Sequence, residues 1–562
     1  MCHFEHKIIR FLKTLLLIAL LDLLSIIQVG AQIPKWEWAK RYGGSEGYKR
    51  GNSIVLDNYN NLYVAGSYYT DLKIENTTII ATKFNDLFIA KFSEVGTLIW
   101  IKSAGGPVGD NAASMTLLDN FLYLIGSFDY QITFENTQLQ TDLTGSIFLA
   151  KYDLNGNLVW VHYLGAGGSG ACISSLNITN DQNKYLYLTG CLIHEQGKNV
   201  KGKGYNDVSF ITKTDTAGNI LWTKNNWGNS FGSGRSIKID NNGFVYNTGC
   251  FEDTIIVGEL PGNHVKLISY GDKDAYITKH DPNGELVWVH QIGGSMVDEG
   301  RSATTDSYNN VYFTGSFENT ANFQDTILTS AGKNDIFIIK LDSFGNRLWV
   351  KQIGSTGRDY GRFILADNTN HFYLTANFHE TISIGDTSLT AHSYDEYASE
   401  AFIAKYKNSG EFVWVKEIGT QWDIIETLAS NNNNDIYITG SLYWNTIHLD
   451  NITLQPKGPV DLFLAKINED PSLVEETNEN YYIKLFPNPT ERILNIQINA
   501  PRPDNLSLEI YTVTGKLLLK RNFYFSTPEF KGEIDLSDLP VGMYIVIIKG
   551  DLLHKIERII II

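Results

Sequence analysis

Asp86-Leu87-Phe88-Ile89-Ala90-Lys91-Phe92, a turn at Glu94-Val95-Gly96-Thr97, then Leu98-Ile99-Trp100-Ile101-Lys102: this stretch recurs along the chain. Its tryptophan returns as Trp38, Trp100, Trp160, Trp222, Trp288, Trp349 and Trp414, at spacings of 62, 60, 62, 66, 61 and 65 residues. A fixed period of this kind marks a repeat architecture. Upstream of Asp86 each unit holds two more short runs, here Ser53–Leu56 and Leu62–Ser67, separated by Asp57-Asn58-Tyr59-Asn60-Asn61. Four runs rich in Val, Ile, Tyr and Phe, punctuated by Asn, Asp and Gly, predict four strands per unit, termed a to d. No unit shows a long 3.6-residue apolar period, so few helices are expected.

Strand c is apolar on both faces, which places it between two layers. Strand b ends on a small residue: Gly66, Gly126, Gly190, Gly249, Gly315, Gly440, with Ala376 in the sixth unit. Both features suit blades stacked around an axis, where glycine otherwise weakens a strand. The first tryptophan run, Trp36–Tyr42, has no a, b or c before it, and the last unit ends at Asp461–Ile467 with no tryptophan run after it. Together the fragments make one blade. The fold expected is all-β: a seven-bladed β-propeller of four strands per blade, its N-terminal strand closing the last blade and so leaving no open edge.

The chain has 562 residues and a net charge of −16. Residues 473–562 carry 10 Lys and Arg against 12 Asp and Glu, so nearly all the negative charge falls on the repeats. That field disfavours nucleic acid and anionic membrane surfaces. Residues 1–31 resemble a secretory signal peptide: Lys7, Arg10 and Lys13, an apolar run from Leu15 to Ile27 broken by Asp22, then Val29-Gly30-Ala31. No later segment is apolar enough to span a bilayer. Cys172 and Cys191 fall on neighbouring strands of the third unit, where they are either buried thiols or one bonded pair. Cys191 and Cys250 occupy equivalent places in successive blades, too far apart to bond. Buried thiols behaving as small apolar residues are the favoured reading.

Two turn families carry acidic residues. The a–b turns (Asp57, Asp181, Asp240, Asp306) lack the ligand number and distal Glu of a calcium loop and read as hairpin chemistry. The d–a connections read Asp298-Glu299-Gly300-Arg301 and Asp359-Tyr360-Gly361-Arg362, with Arg235 matching in the fourth unit and Asp110 and Asp423 in the second and seventh. Their recurrence favours an Asp–Arg pairing that locks blades. The competing reading makes Asp298, Arg301, Asp359, Arg362 and Arg235 a ligand site at the channel mouth. No catalytic motif, metal-ligand spacing or cofactor fingerprint is present.

The pattern Asp-x-Phe-Ile-Ala-Lys, Gly-x-Leu-x-Trp and Thr314-Gly315-Ser316-Phe317 resembles the bacterial SBBP repeat of seven-bladed β-propellers, over residues 36–467. The resemblance implies fold and carries no catalytic residue across. A polar linker at 469–481 precedes six or seven short strands at 482–562, expected to form a small Ig-like β-sandwich. Phe486-Pro487-Asn488-Pro489, the Tyr511–Leu517 segment and Leu539-Pro540-Val541-Gly542-Met543-Tyr544 resemble the type A C-terminal sorting domain of type IX secretion in Bacteroidetes. That resemblance implies the type IX machinery as a partner and a destination outside the outer membrane of a Gram-negative cell. The domains expected are a signal peptide at 1–31, a propeller at 32–468, the linker and the sorting domain. The function expected is a non-catalytic binding or scaffold protein for a glycan or surface protein. The alternative is a glycan-active hydrolase or lyase on the same scaffold.

Overall fold

The computed structural model describes residues 34–561 except 45, 167–174, 192–205, 229, 260–261, 368, 392–398, 420–423, 432, 444, 470–481, 487–489, 500–503, 513–515, 526–528 and 550–553. The leader, Cys172, Asp423 and the linker from 470 onward lie outside the described residues. Among the described residues every named element is a strand, and no helix is long and apolar enough to cross a membrane. The chain divides into two compact units, meeting at Ile467 and Asn468.

In the first repeat, strands a to d are Lys49–Leu56, Leu62–Ile74, Thr77–Phe92 and Leu98–Gly105, paired antiparallel in that order. The b–c connection is itself a hairpin: both strands run on past the core and turn at Glu75 and Asn76. In three other units this extension is a separate small hairpin, as at Gln131–Phe134 with Thr137–Gln140. The first strand, Lys35–Tyr42, joins the sheet of the last repeat, in the order Lys35–Tyr42, Val460–Asn468, Ile436–Tyr443, Ile424–Ser430.

One side-chain cluster recurs in every repeat and explains the motif. A fully buried tyrosine of strand b (Tyr63, Tyr123, Tyr187, Tyr246, Tyr312, Tyr373, Tyr437) packs against the strand-d tryptophan of its own sheet, ring centroids 5.9–6.4 Å apart. The strand-c lysine lies over the same tyrosine, its amine 4.8–5.5 Å from the ring centroid. That is cation–π range. In five repeats the tyrosine hydroxyl donates to the a–b turn aspartate, as in Tyr63 to Asp57 (3.0 Å) and Tyr246 to Asp240 (3.1 Å). The aspartate also accepts N–H groups of its own turn, 2.9 Å each from Tyr59 and Asn61 at Asp57. These carboxylates are occupied by turn and core groups.

The same residues join neighbouring repeats. Lys279 Nζ donates to Ser343 O (2.7 Å) and Lys340 Nζ to Asn408 O (3.1 Å), each carbonyl lying in the next repeat's c–d turn. The glycine of that turn rests on the preceding repeat's tryptophan. A Cβ on Gly156 would sit 3.0 Å from Trp100, and one on Gly96 would sit 2.9 Å from Trp38. Both glycines have positive φ, so side chains are excluded by backbone and by ring. Trp38 belongs to the first strand yet contacts the first full repeat as Trp100, Trp160, Trp222, Trp288 and Trp349 contact their neighbours.

Inner strands lie side by side in chain order: Lys49–Leu56, Asp110–Leu118, Asn177–Asn180, Gly232–Ile239, Glu299–Thr305, Tyr360–Ala366 and Ile424–Ser430, which in turn lies beside Lys49–Leu56. A side-chain relay links them. Ser53 Oγ accepts the N–H of Met115 (3.0 Å), Ser114 that of Ile178 (3.4 Å), Ser236 that of Ala303 (3.3 Å) and Ser302 that of Ile364 (3.3 Å). Asn177 Oδ1 does the same for Ile237 at 3.2 Å. Phe363 stands where the next hydroxyl belongs.

The second unit comprises two antiparallel sheets: Tyr482–Phe486, Ile493–Asn499 and Glu529–Asp535; and Leu517–Phe525, Asp504–Thr512, Gly542–Lys549 and His554–Ile561. Leu494, Ile496 and Ile534 of one sheet and Leu508, Ile510, Val546 and Ile559 of the other share a single buried core. Cys250 is a buried free thiol, as expected; Cys191 is disulfide-bonded, which corrects the reading of it as a thiol.

The sixth repeat departs from its siblings at one buried pair. Gln291 and Gln352 donate to the aspartates Asp274 (2.5 Å) and Asp335 (2.6 Å) that open strand c. The sixth repeat has Glu417 bonded to Glu400 instead. Burial, then the hydrogen bond and charge of Glu400, push Glu417 up to about 8. A carboxyl whose folded pKa is raised costs stability as pH climbs from its unfolded value, about 4.3, through the folded one. Glu417→Gln should therefore raise the melting temperature at pH 8, with the gain vanishing towards pH 4.5. A gain independent of pH would sink this assignment.

The tryptophan contacts give a second expectation. Trp38→Ala should destabilise by about 3–5 kcal/mol, as Trp222→Ala does, when both are read by denaturant titration. A Trp38→Ala protein as stable as the parent would mean that the first strand is not held as the others are.

Candidate functional site

The inner strands share an irregularity that builds the site. Opposite strand b, pairing skips one residue in each of six: between Gly51 and Ser53, Ala112 and Ser114, Gly234 and Ser236, Gly300 and Ser302, Gly361 and Phe363, Ile425 and Thr427. A β-bulge of this kind re-aims the extra side chain. The skipped residues, Asn52, Ala113, Arg235, Arg301, Arg362 and Glu426, all line one cavity of about 850 Å³ enclosed by the inner strands. The bulge also explains the strand-b glycine. A Cβ on Gly315 would lie 1.8 Å from Glu299 O, and one on Gly66 1.8 Å from Arg50 O. The backbone carbonyl at the bulge, more than crowding near an axis, demands glycine there.

The cavity's charge opposes that of the chain. Its lining holds Arg50, Arg235, Lys238, Arg301 and Arg362 against one carboxylate, Glu426. Three of the arginines come from consecutive repeats, and two of them reach Glu299. Arg301 Nη2 donates to Glu299 Oε2 (2.7 Å), Arg235 Nη2 to Glu299 Oε1 (3.2 Å), and Lys273 Nζ stands 3.7 Å from Oε1. Burial would raise Glu299, but the charges of Arg301, Arg235 and Lys273 hold it at about 2. Arg362 Nε donates to Asn377 Oδ1 at 2.8 Å. Burial, then the like charges of Arg235 and Arg362, push Arg301 down to about 10. The Nε atoms of Arg235 and Arg301 are buried with no hydrogen-bond partner in the protein. Burial alone pushes Lys238 down.

The aspartates of the same motif do something else, which corrects the expected Asp–Arg lock. Asp298 is fully buried; its Oδ2 accepts the N–H of Gly294 (2.7 Å) and its Oδ1 that of Glu318 (3.1 Å). Asp359 accepts the N–H and Oγ–H of Ser355 (2.5 and 2.8 Å) and the N–H of His379 (3.1 Å). Each pins the d–a connection to the end of strand b. Burial pushes both up to about 7. Of the five residues singled out in the sequence, the structure thus brings Arg235, Arg301 and Arg362 together in the cavity and assigns Asp298 and Asp359 to the backbone. Glu299, Arg50, Lys238 and Glu426 were missed. A signal existed for part of this: Gly234-Arg235, Gly300-Arg301 and Gly361-Arg362 repeat one dipeptide, and Gly51-Asn52 keeps its glycine. Among the described residues no group of three His, Cys, Asp or Glu is placed to hold a metal ion.

Comparison with known proteins bears on both units. Residues 37–67 match the family described as β-propeller repeat, SBBP, and residues 484–562 match the secretion system C-terminal sorting domain. The chain thus carries an SBBP β-propeller repeat and a type IX sorting domain. It is 26% identical over 217 residues to an uncharacterized WD repeat-containing protein of Acanthamoeba polyphaga mimivirus; the match covers 33% of this chain and 16% of that protein. Among solved structures, a DUF4221-family protein from Bacteroides vulgatus aligns with 76% of this chain and 99% of its own, at 10% identity and a TM-score of 0.29. A glycoside hydrolase family 43 arabinoxylan arabinofuranohydrolase from Bacillus subtilis aligns with 92% of each chain, at 11% identity and a TM-score of 0.25. Likenesses this weak specify no shared property.

The two halves of the motif should separate on substitution. Asp359→Asn sets an amide NH₂ against backbone donors and should cost about 1–3 kcal/mol. Arg301→Gln removes a charge that the folded state disfavours, since its folded pKa lies below the ordinary guanidinium value, and should leave the melting temperature unchanged or raised. Thermal melts of the two variants check this; an Arg301→Gln loss as large as that of Asp359→Asn would make the arginine a structural residue.

Proposed function

We propose that this is a secreted or cell-surface seven-bladed β-propeller that binds a ligand in its axial cavity without transforming it. The observation carrying the reading is the ring of bulge residues aimed into one cavity. Three things support the count and closure: the inner strands adjoin in chain order with the last beside the first, Lys35–Tyr42 completes the last sheet, and Trp38 meets Gly96 as its siblings meet theirs. The domain plan is a signal peptide at 1–31, the propeller at 32–468, a linker at 469–481 and an Ig-like sorting domain at 482–562. The sorting domain implies handling by the type IX machinery and export in a Bacteroidetes-type cell. The ligand is a glycan or a surface protein.

Hydrolysis on the same scaffold is the second reading. Glycoside hydrolysis uses two carboxyl groups flanking the bond. The described lining offers Glu426, while Asp298 and Asp359 face backbone donors and Glu299 is held by three cations. Binding therefore stands ahead of hydrolysis.

Export gives the direct test. A protein ending at Ile467 should keep the melting temperature of the full chain's propeller, because the sorting unit has its own core. In its host that protein should accumulate in the periplasm, whereas the full chain reaches the surface or medium. Normal surface amounts of the shortened protein would turn the second unit into a binding module.

A further inference from the structure

We propose that the cavity's ligand is a small acidic saccharide, its carboxylate or sulfate held by the arc Arg235, Arg301 and Arg362. The inference rests on the binding reading above and specifies the ligand's chemistry.

Three observations on the cavity lead there. The first is charge inversion. In a chain of net charge −16, the cavity lining has five cations and one carboxylate. Gathering like charges in a partly dehydrated space is unfavourable unless an anion joins them. Glu299 does not discharge the arc: its two oxygens already serve Arg235 and Arg301, and three other cations of the lining remain. The second is incomplete satisfaction. Nε of Arg235 and Nε of Arg301 are buried donors without a protein acceptor. Guanidinium recognises carboxylate, sulfate and phosphate through several N–H groups, and on these two arginines Nη2 serves Glu299 while Nε has no protein acceptor. Burial, then the like charges of Arg235 and Arg362, depress the Arg301 pKa, and an arriving anion would oppose that shift.

The third observation concerns the opposite wall. Asn52, Asn111, Ser114, Asn177 and Thr427 line the same space, their hydroxyl and amide groups interspersed with apolar side chains such as Leu56, Leu176, Phe363 and Leu365. A mixed lining of this kind suits a sugar ring, whose hydroxyls meet amides and hydroxyls while its C–H faces rest on apolar side chains. The volume is within the range of small-ligand sites. The bulges explain why the arc spans only part of the ring: the position holds Arg in three consecutive repeats, Glu, Asn and Ala elsewhere. One ligand can then be oriented, acid group to the arc and hydroxyls to the amides.

The test is calorimetric titration of the full chain with glucuronate, N-acetylglucosamine 6-sulfate, their neutral counterparts glucose and N-acetylglucosamine, and inorganic sulfate. The expected result is binding of at least one acidic sugar, at least tenfold weaker binding of its neutral counterpart and of inorganic sulfate, and weakening with added salt. Arg301→Gln and Arg362→Gln, each checked for an unchanged melting transition, should each lose tenfold or more. Equal binding of neutral and acidic sugars would overturn the acidic assignment while leaving the binding reading intact. Equal binding of inorganic sulfate would overturn the saccharide assignment. Acidic-sugar binding that neither variant weakens would place the site elsewhere. No binding by any of the probes would overturn the inference, and a neutral glycan retained on an array would then still support the broader reading.

Discussion

Each repeat depends on one buried cation: the strand-c lysine, seated over a buried tyrosine and reaching the turn of the next repeat. A lysine amine inside a β core is costly unless its charge is met. At Lys91, Lys279 and Lys340 it is met three ways: by the tyrosine face, by the a–b turn aspartate, and by a carbonyl of the neighbouring repeat. Lys340 shows all three, 4.8 Å from the Tyr312 ring centroid, 3.4 Å from Asp306 and 3.1 Å from Asn408 O. Because the third partner belongs to another repeat, the cluster is complete only when two repeats stand together. Tertiary structure and repeat stacking are thereby made one event, which is why such units do not stand alone.

The sequence made the repeats legible because their determinants are local. A tryptophan, a glycine turn and an alternating run have fixed spacing, and period alone reveals them. The role of the lysine in Asp-x-Phe-Ile-Ala-Lys was not legible, since its partners lie in other strands and in the next repeat. The same reason hid the roles of Asp298 and Asp359. Beside an arginine in sequence they read as an ion pair, yet a bulge turns Arg301 and Arg362 one way and leaves the aspartates facing backbone N–H groups. Sequence proximity within a strand says little about shared partners, because alternate residues face opposite sides. Glu299 was passed over because it is flanked by the more conspicuous Asp and Arg.

Bulge, glycine and cavity form one device. The bulge gives each repeat one side chain that the pairing ladder does not use, and the strand-b glycine accommodates the displaced carbonyl. The position is therefore freer in sequence than its neighbours: it holds Arg, Asn, Ala and Glu, while in four of the six bulges the residue that follows is a serine tied to the next inner strand. A scaffold with fixed relay residues beside free cavity residues separates what keeps the fold from what meets a ligand.

The pairing of Lys35–Tyr42 with the last repeat also sets a clock. The main-chain N–H of Trp36 donates to Asp450, 414 residues away. Contacts of such separation form late, because the intervening chain must first be brought together. During synthesis the Lys35–Tyr42 strand emerges before the strands it will pair with and waits with its edge unpaired. Unpaired edges invite association with other chains, and charge along them is the usual deterrent. Lys35, Lys40 and Arg41 supply that charge early. Arg41 later bonds Asp461, and Lys40 donates to Gly96 O at 2.9 Å. The residues that keep the strand apart from strangers during its wait are among those that fasten it at the end.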